Sequence, residues 1–175
     1  DRSVMFFYPS SIAVYGTPSN FGDQPVNELE CSVPRTMYGS NKLYCEHLGH
    51  YYATYYKQLG TEVHANLVDF RSIRFPGLIS ALTMPSGGTS DYASEMIHAA
   101  AKGEAYTCFV RPDTRIPFMA MPDAIDAILA LTNREATSLS QHVYNVSAFN
   151  PSAAEIHELV AKAYPATHVV FEPDT

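Results

Sequence analysis

Basic residues are scarce in this chain. There are 11 Lys and Arg against 18 Asp and Glu, for a formal net charge of −7, and the basic residues do not cluster. A nucleic-acid-binding face needs a basic stripe to meet phosphates, so that class of function is not expected. The seven His do not compensate, because imidazole is largely neutral at pH 7. No apolar run reaches the length of a membrane span, and no basic-then-apolar leader precedes the first strand-like run, so no membrane role is expected. Cysteine is sparse too: Cys31, Cys45 and Cys108 form no C-x-x-C pair and are odd in number. That excludes a disulfide scaffold, fits a reducing compartment, and makes Cys45 and Cys108 candidates for buried small hydrophobes. Charged residues are only 17% and no low-complexity run occurs, which excludes long disorder.

What remains is a globular composition. With 46% hydrophobic residues over 175 positions, the chain is long enough to bury roughly 70% of its unfolded surface. The run Ser3–Tyr8, stopped by Pro9, reads as a buried strand. Pro18, Gly22, Pro25 and Pro34 keep the following stretch irregular. A helix is predicted from about Thr36 to Leu59, with Leu48, Tyr51, Tyr52, Tyr55 and Leu59 on one apolar face and Gly60 beyond its end. The tyrosines of this helix, Tyr44, Tyr51, Tyr52, Tyr55 and Tyr56, read first as a core face. Asn66–Phe75 reads as a strand stopped by Pro76-Gly77. Met84–Gly88 is a turn, and Ser90 or Asp91 caps a helix to about Lys102, before Gly103. A strand at Tyr106–Val110, a helix at Ala124–Asn133 capped by Asp123, and a strand at Val143–Val146 follow. A helix at Ser152–Tyr164 carries capping-box spacing between Ser152 and Glu155, and Val169–Phe171 is the last strand. Alternating strands and helices predict an α/β fold with a parallel sheet.

Two segments carry chemistry. In Thr36-Met37-Tyr38-Gly39-Ser40-Asn41-Lys42, Tyr38 and Lys42 are one helical turn apart on the same face. An ammonium beside a phenol favours the phenolate, and such a phenol can exchange a proton with a substrate. The pair alone is a weak signal in a chain with 12 Tyr. The second segment is Ser10-Ser11-Ile12-Ala13-Val14-Tyr15-Gly16, directly after the first strand. Hydroxyls at the C-terminal end of a parallel strand lie where α/β sheets bind ligands; alone, they equally satisfy their own loop backbone. Strand, serine pair, loop and Y-x-x-x-K helix in this order are far more specific. Glu46-His47-Leu48-Gly49-His50 fails the H-E-x-x-H zinc pattern and reads as an ordinary helix face.

Ser-Ser-Ile-Ala-Val-Tyr-Gly followed by Tyr-Gly-Ser-Asn-Lys resembles the extended, epimerase-like short-chain dehydrogenase/reductases. Arg71–Ser80, Met84–Ala93, Arg111–Pro117 and Tyr144–Ala148 resemble the L-threonine 3-dehydrogenase branch of that family. The resemblance implies a Rossmann-like parallel sheet with flanking helices and a small C-terminal substrate-binding part. Residues 1–80 would form the second half of the dinucleotide-binding domain, and residues 81–175 the substrate-binding part, interleaved with it. It implies a catalytic Ser11–Tyr38–Lys42 triad. It implies NAD as the cofactor, held by Tyr38, Lys42, Pro76, Gly77 and Leu78. It implies L-threonine as the substrate, held by Ser11, Tyr38, Thr89 and Asp91 and oxidised to 2-amino-3-oxobutanoate. It implies a homodimer through the Tyr38 helix and the helix after Asp91, and a mitochondrial matrix location in a eukaryote or a cytoplasmic one in a bacterium.

The family's opening strand and Gly-rich pyrophosphate loop have no match here, so the chain reads as a fragment trimmed at both ends. Glu62–Asn66 is longer than expected between helix and strand. Two other readings stand beside the dehydrogenase. One is a nucleotide-sugar epimerase or dehydratase, which usually shows Asn where Pro76-Gly77 stands and needs basic residues for a diphosphate. The other is a non-catalytic fragment. Asp91 likewise has two readings, helix cap or partner of the substrate ammonium.

Overall fold

The computed structural model describes residues 3–16, 24–56, 67–88 and 90–173. Expectations that fall on Pro18, Gly22, Leu59, Gly60, Glu62–Asn66 and Thr89 lie outside them. The chain divides into two compact units. The first holds residues 1–75 and 125–146, the second residues 76–124 and 147–175.

The first unit is built on a three-stranded parallel sheet of β1 (Val4–Ser11), β2 (Val68–Phe75) and β6 (Val143–Asn145), in the order β1-β2-β6. The central strand β2 is buried along most of its length, with Phe70 and Ile73 each 1% exposed. This is the expected state of a β-rich run covered on both faces. Its two arginines are buried with partners. Arg71 forks onto Asp69 and donates through Nη1 to the Leu131 carbonyl at 2.6 Å. That carbonyl belongs to the last turn of α3 (Met121–Thr132), where a cation complements the helix dipole.

Helix α1 (Met37–Thr54) begins at Thr36, whose hydroxyl accepts from the Gly39 N–H at 3.0 Å. Its first turn lies over a 3₁₀ turn at Ile12–Val14, and its body over β1 and β2. The expected apolar face is not the face that packs inward. Tyr44, Leu48, Tyr51, Tyr52, Tyr55 and Tyr56 are exposed, and the buried residues of α1 are Gly39 and Glu46. Glycines set the approach: a Cβ on Gly39 would stand 2.0 Å from the Ala13 carbonyl oxygen, and one on Gly49 2.2 Å from the Phe70 ring. Bulky residues cannot occupy so close a contact, so they face away. The helix also stops at Thr54, with Tyr55 as its C-cap, short of the expected Leu59.

The second unit holds two parallel strand pairs, β3 (Gly77–Ile79) with β5 (Phe118–Ala120) and β4 (Tyr106–Cys108) with β7 (Val169–Phe171). Strands β3 and β5 are absent from the sequence-based expectation. Helices α2 (Tyr92–Lys102) and α4 (Ala153–Ala163) pack together over a core that includes Tyr92, Met96, Cys108, Phe118 and Ile156. Cys108 is fully buried there, as expected, whereas Cys45 in the first unit is only half-buried. Gly103 ends α2 in the left-handed conformation, φ 72°, which glycine adopts without a Cβ penalty. Ser152 and Glu155 form the expected capping box of α4. Asp123 does not cap α3; the helix starts at Met121 and Asp123 sits in its first turn.

Candidate active site

The C-terminal end of β1 and the first half of α1 build the site. The last residues of β1 are Pro9, Ser10 and Ser11. Ser11 caps the 3₁₀ turn, its Oγ accepting from the Ala13 N–H at 3.2 Å. A hydroxyl has one hydrogen to donate as well, so this bond leaves Ser11 able to donate. Gly39 presses the start of α1 onto Ala13, two residues after Ser11, and Tyr38 is the residue before this glycine. Tyr38 is 57% exposed, open to a ligand.

Lys42 sits one turn along α1. Its Nζ donates to the Pro9 carbonyl at 2.6 Å and stands 5.5 Å from the Tyr38 ring centroid and 5.1 Å from that of Tyr8. An ammonium has three donors, and the Pro9 carbonyl takes one. Tyr8 is the second phenol beside this cation. Burial raises its pKa above the ordinary phenol value, reinforced by its hydrogen bond to Cys45. It is held protonated and is the weaker candidate for proton exchange.

Beneath these residues lies a buried polar cluster that sequence reasoning missed. Ser10, Arg74 and Asn145 are aligned in register across the three strands. The Ser10 hydroxyl donates to Glu46 Oε1. Arg74 forks onto the same carboxylate, with Nη2 2.6 Å from Oε2 and Nε 3.0 Å from Oε1. Glu46 is 3% and Arg74 4% exposed. Through Nη1, Arg74 donates to the Tyr15 hydroxyl at 2.7 Å and the Glu28 carbonyl at 2.9 Å. Tyr15 passes its own hydrogen to Asn145 Oδ1 at 2.7 Å, and Glu28 Oε1 accepts from the Asn145 N–H at 2.8 Å. Burial works against the Arg74 charge, but bonding to Glu46 and Tyr15 outweighs it and raises the guanidinium pKa. The available signal was the spacing of Tyr38, Lys42 and Glu46, each four residues apart on one helical stripe.

The other expected site residues belong to the second unit. Gly77 and Leu78 pair with Phe118 and Met119, and a Cβ on Gly77 would meet the Phe118 ring at 2.5 Å. Asp91 stands at the N-terminus of α2 but makes no cap bond to it. Its Oδ2 instead accepts from Ser86 N–H at 3.0 Å and Gly88 N–H at 2.8 Å, closing the turn before the helix. Its expected role as a helix cap is therefore corrected: the carboxylate serves the loop, because Asp91 already has helical backbone angles, φ −74° and ψ −13°. Among the described residues no group of three or more His, Cys, Asp or Glu is gathered as a metal site. Among the same residues no helix is long and apolar enough to cross a membrane.

A family model described as the NAD dependent epimerase/dehydratase family matches residues 1–147. The chain belongs to this family. It is 36% identical over 176 residues to the mitochondrial L-threonine 3-dehydrogenase of Bos taurus, covering 99% of this chain and 43% of that protein. It is 39% identical over 170 residues to an uncharacterized epimerase/dehydratase of Staphylococcus haemolyticus, covering 97% of this chain and 50% of that one. Among solved structures, the GalE-like L-threonine dehydrogenase from Cupriavidus necator in its apo form superposes with a TM-score of 0.84 at 37% identity, over 97% of this chain and 57% of that one. The L-threonine dehydrogenase from Phytophthora infestans gives 0.77 at 39% identity, over 96% and 51%. This member of the epimerase/dehydratase family spans about half the length of the curated relatives it matches. Its α/β architecture with parallel strands is the one expected from the sequence.

Proposed function

We propose that the full-length protein oxidises the 3-hydroxyl of L-threonine to 2-amino-3-oxobutanoate, with NAD as its cofactor. The observation that carries this reading is the placement of Tyr38 and Lys42 on α1 against the strand end that bears Ser11. Relatives carrying the threonine dehydrogenase name at 34–36% identity favour it over a nucleotide-sugar reaction.

Bound NAD supplies the hydride acceptor. The chain's own residues supply position and proton handling. Tyr38 takes the proton of the substrate hydroxyl. Ser11 donates to the same oxygen and stabilises charge developing there. Lys42, anchored on the Pro9 carbonyl, sets its ammonium beside the Tyr38 ring and offers donors to the cofactor ribose. The assignments of Pro76, Gly77 and Leu78 to the nicotinamide, and of Thr89 and Asp91 to the amino-acid end of the substrate, rest on their match to the family's motifs. The same match supports a substrate-binding role for residues 81–175.

A homodimer through α1 and α2 is part of this proposal. It is supported by the exposed Tyr44, Tyr51, Tyr52 and Tyr55 on α1, since large exposed apolar patches mark association surfaces. A mitochondrial location in a eukaryote, or a cytoplasmic one in a bacterium, is part of the same proposal; one relative is named mitochondrial and another comes from a bacterium.

The test is NADH formation by the full-length protein with L-threonine, and its absence with UDP-sugars. Tyr38→Phe should abolish turnover with the fold intact. Full activity in that variant removes Tyr38 from the mechanism, and turnover of a UDP-sugar replaces the substrate.

A further inference from the structure

We propose that Glu46, clamped by Arg74 and Ser10, is the positioning residue that holds the two halves of the catalytic triad in register. This inference rests on the dehydrogenase reading above and deepens it. Tyr38, Lys42 and Glu46 occupy one stripe of α1, at successive intervals of four residues. The stripe's outer end carries the proposed chemistry and its inner end is a buried carboxylate. That carboxylate holds both partners that fix the strand side of the site. The Ser10 hydroxyl donates to Oε1, and Ser10 is the residue immediately before Ser11. The Arg74 guanidinium grips both oxygens, Nε at 3.0 Å and 3.2 Å and Nη2 at 2.6 Å. One side chain therefore ties the helix bearing Tyr38 and Lys42 to the strand bearing Ser11 and to the central strand of the sheet.

Arg74 extends the clamp. Its Nη1 holds Tyr15 and the Glu28 carbonyl, and Tyr15 and Glu28 both bind Asn145 on β6. The loop after Ser11 is thus fixed by the same cation. A planar guanidinium presents several donors in one rigid fork, which an ammonium cannot reproduce. Burial of this much charge is expensive, and an apolar contact would hold a helix on a sheet equally well. What the ion pair adds is a defined register along the helix axis. A shift of about 1 Å in such a constellation is enough to cost on the order of 100-fold in rate.

Two variants test this in the full-length protein, with Tyr38→Phe assayed alongside. Ser10→Ala removes only the tether between Glu46 and the Ser11 strand. Arg74→Lys keeps the charge and removes the fork. Each should lower kcat with L-threonine about 10-fold or more while leaving KM for threonine and NAD within about twofold. The double variant should lose little more than the worse single one, as expected for residues acting as one unit.

The inference is overturned if Ser10→Ala keeps the wild-type kcat, or if it raises KM in place of lowering kcat. It is equally overturned if the variants lower only the melting temperature, or if their losses in kcat multiply. Turnover that survives Tyr38→Phe, or no NADH formation by the wild type, overturns the dehydrogenase reading instead, and the inference with it. Turnover lost in Tyr38→Phe but untouched by both other variants overturns the positioning role alone.

Discussion

Gly39 stands against the carbonyl oxygen of Ala13, and a Cβ at this glycine would lie 2.0 Å from that oxygen. The contact sets how closely α1 approaches the loop after Ser11. Glycine inside a helix ordinarily costs about 1 kcal/mol relative to alanine, so Gly39→Ala at an indifferent position would stabilise. Here the expected sign is reversed. Overpacking should destabilise by about 1–3 kcal/mol, and turnover should fall because Tyr38 is the adjacent residue. Chemical denaturation of the variant checks the sign, and a stability gain would refute the close contact.

Asp91 accepts two backbone hydrogen bonds through one oxygen. Asp91→Asn retains an oxygen able to accept both, and loses the charge. If the carboxylate also meets the substrate ammonium, KM for threonine should rise about 10-fold or more, the scale of a lost charged hydrogen bond, with little change in melting temperature. An unchanged KM would leave Asp91 with the turn alone.

His50 faces His142, ring centroids 5.3 Å apart, and stacks edge-on against Tyr55. Its pKa is lowered from 6.5, first by partial desolvation on the protein surface, then by His142 and His47. The unfolded chain therefore binds this proton more readily than the folded one. The stability involved is present above the unfolded value and is lost as pH falls through the lower folded value. The urea midpoint should drop between about pH 7.5 and pH 5.5, near the ordinary His range. The drop should be smaller in His50→Gln. Equal drops in both proteins would assign it elsewhere.

Glu155 completes the capping box of α4 and takes both terminal nitrogens of Arg115, each at 2.8 Å. Arg115 first, and then the Ser152 N–H, pull its carboxyl pKa from 4.5 to about 2. This contribution is present above pH 4.5 and is lost as pH falls toward about 2, the sign for a depressed carboxylate. Ser152→Ala should cost about 1 kcal/mol, the usual worth of a helix cap. A melting curve measures it, and no loss would show that the buried face of α4 suffices alone.

Much of the fold was legible because its signals are local. The capping box at Ser152 and Glu155, the glycine stop at Gly103 and the β-rich run ending at Phe75 act over a few residues, and each lies where the pattern placed it. The positions of Tyr38 and Lys42 on one helix and of Ser11 at a strand end were legible for a related reason: a four-residue spacing and a strand end are both sequence-local. The inward face of α1 was misread. Apolar periodicity pointed to the tyrosines, whereas two glycines and a buried glutamate make the contact. Hydropathy is blind to a carboxylate whose charge is met by a distant guanidinium.

The order of elements and the candidate proton-transfer pair were already legible in residue type and spacing. Each depends on neighbours within a turn, a strand or a short loop. The alignment of Ser10, Arg74 and Asn145 across three strands, and their convergence with Glu46, was decided only by the tertiary structure. Those residues are separated by 28 to 135 positions in the chain, and only the closing of the sheet brings their charges and hydroxyls within bonding distance.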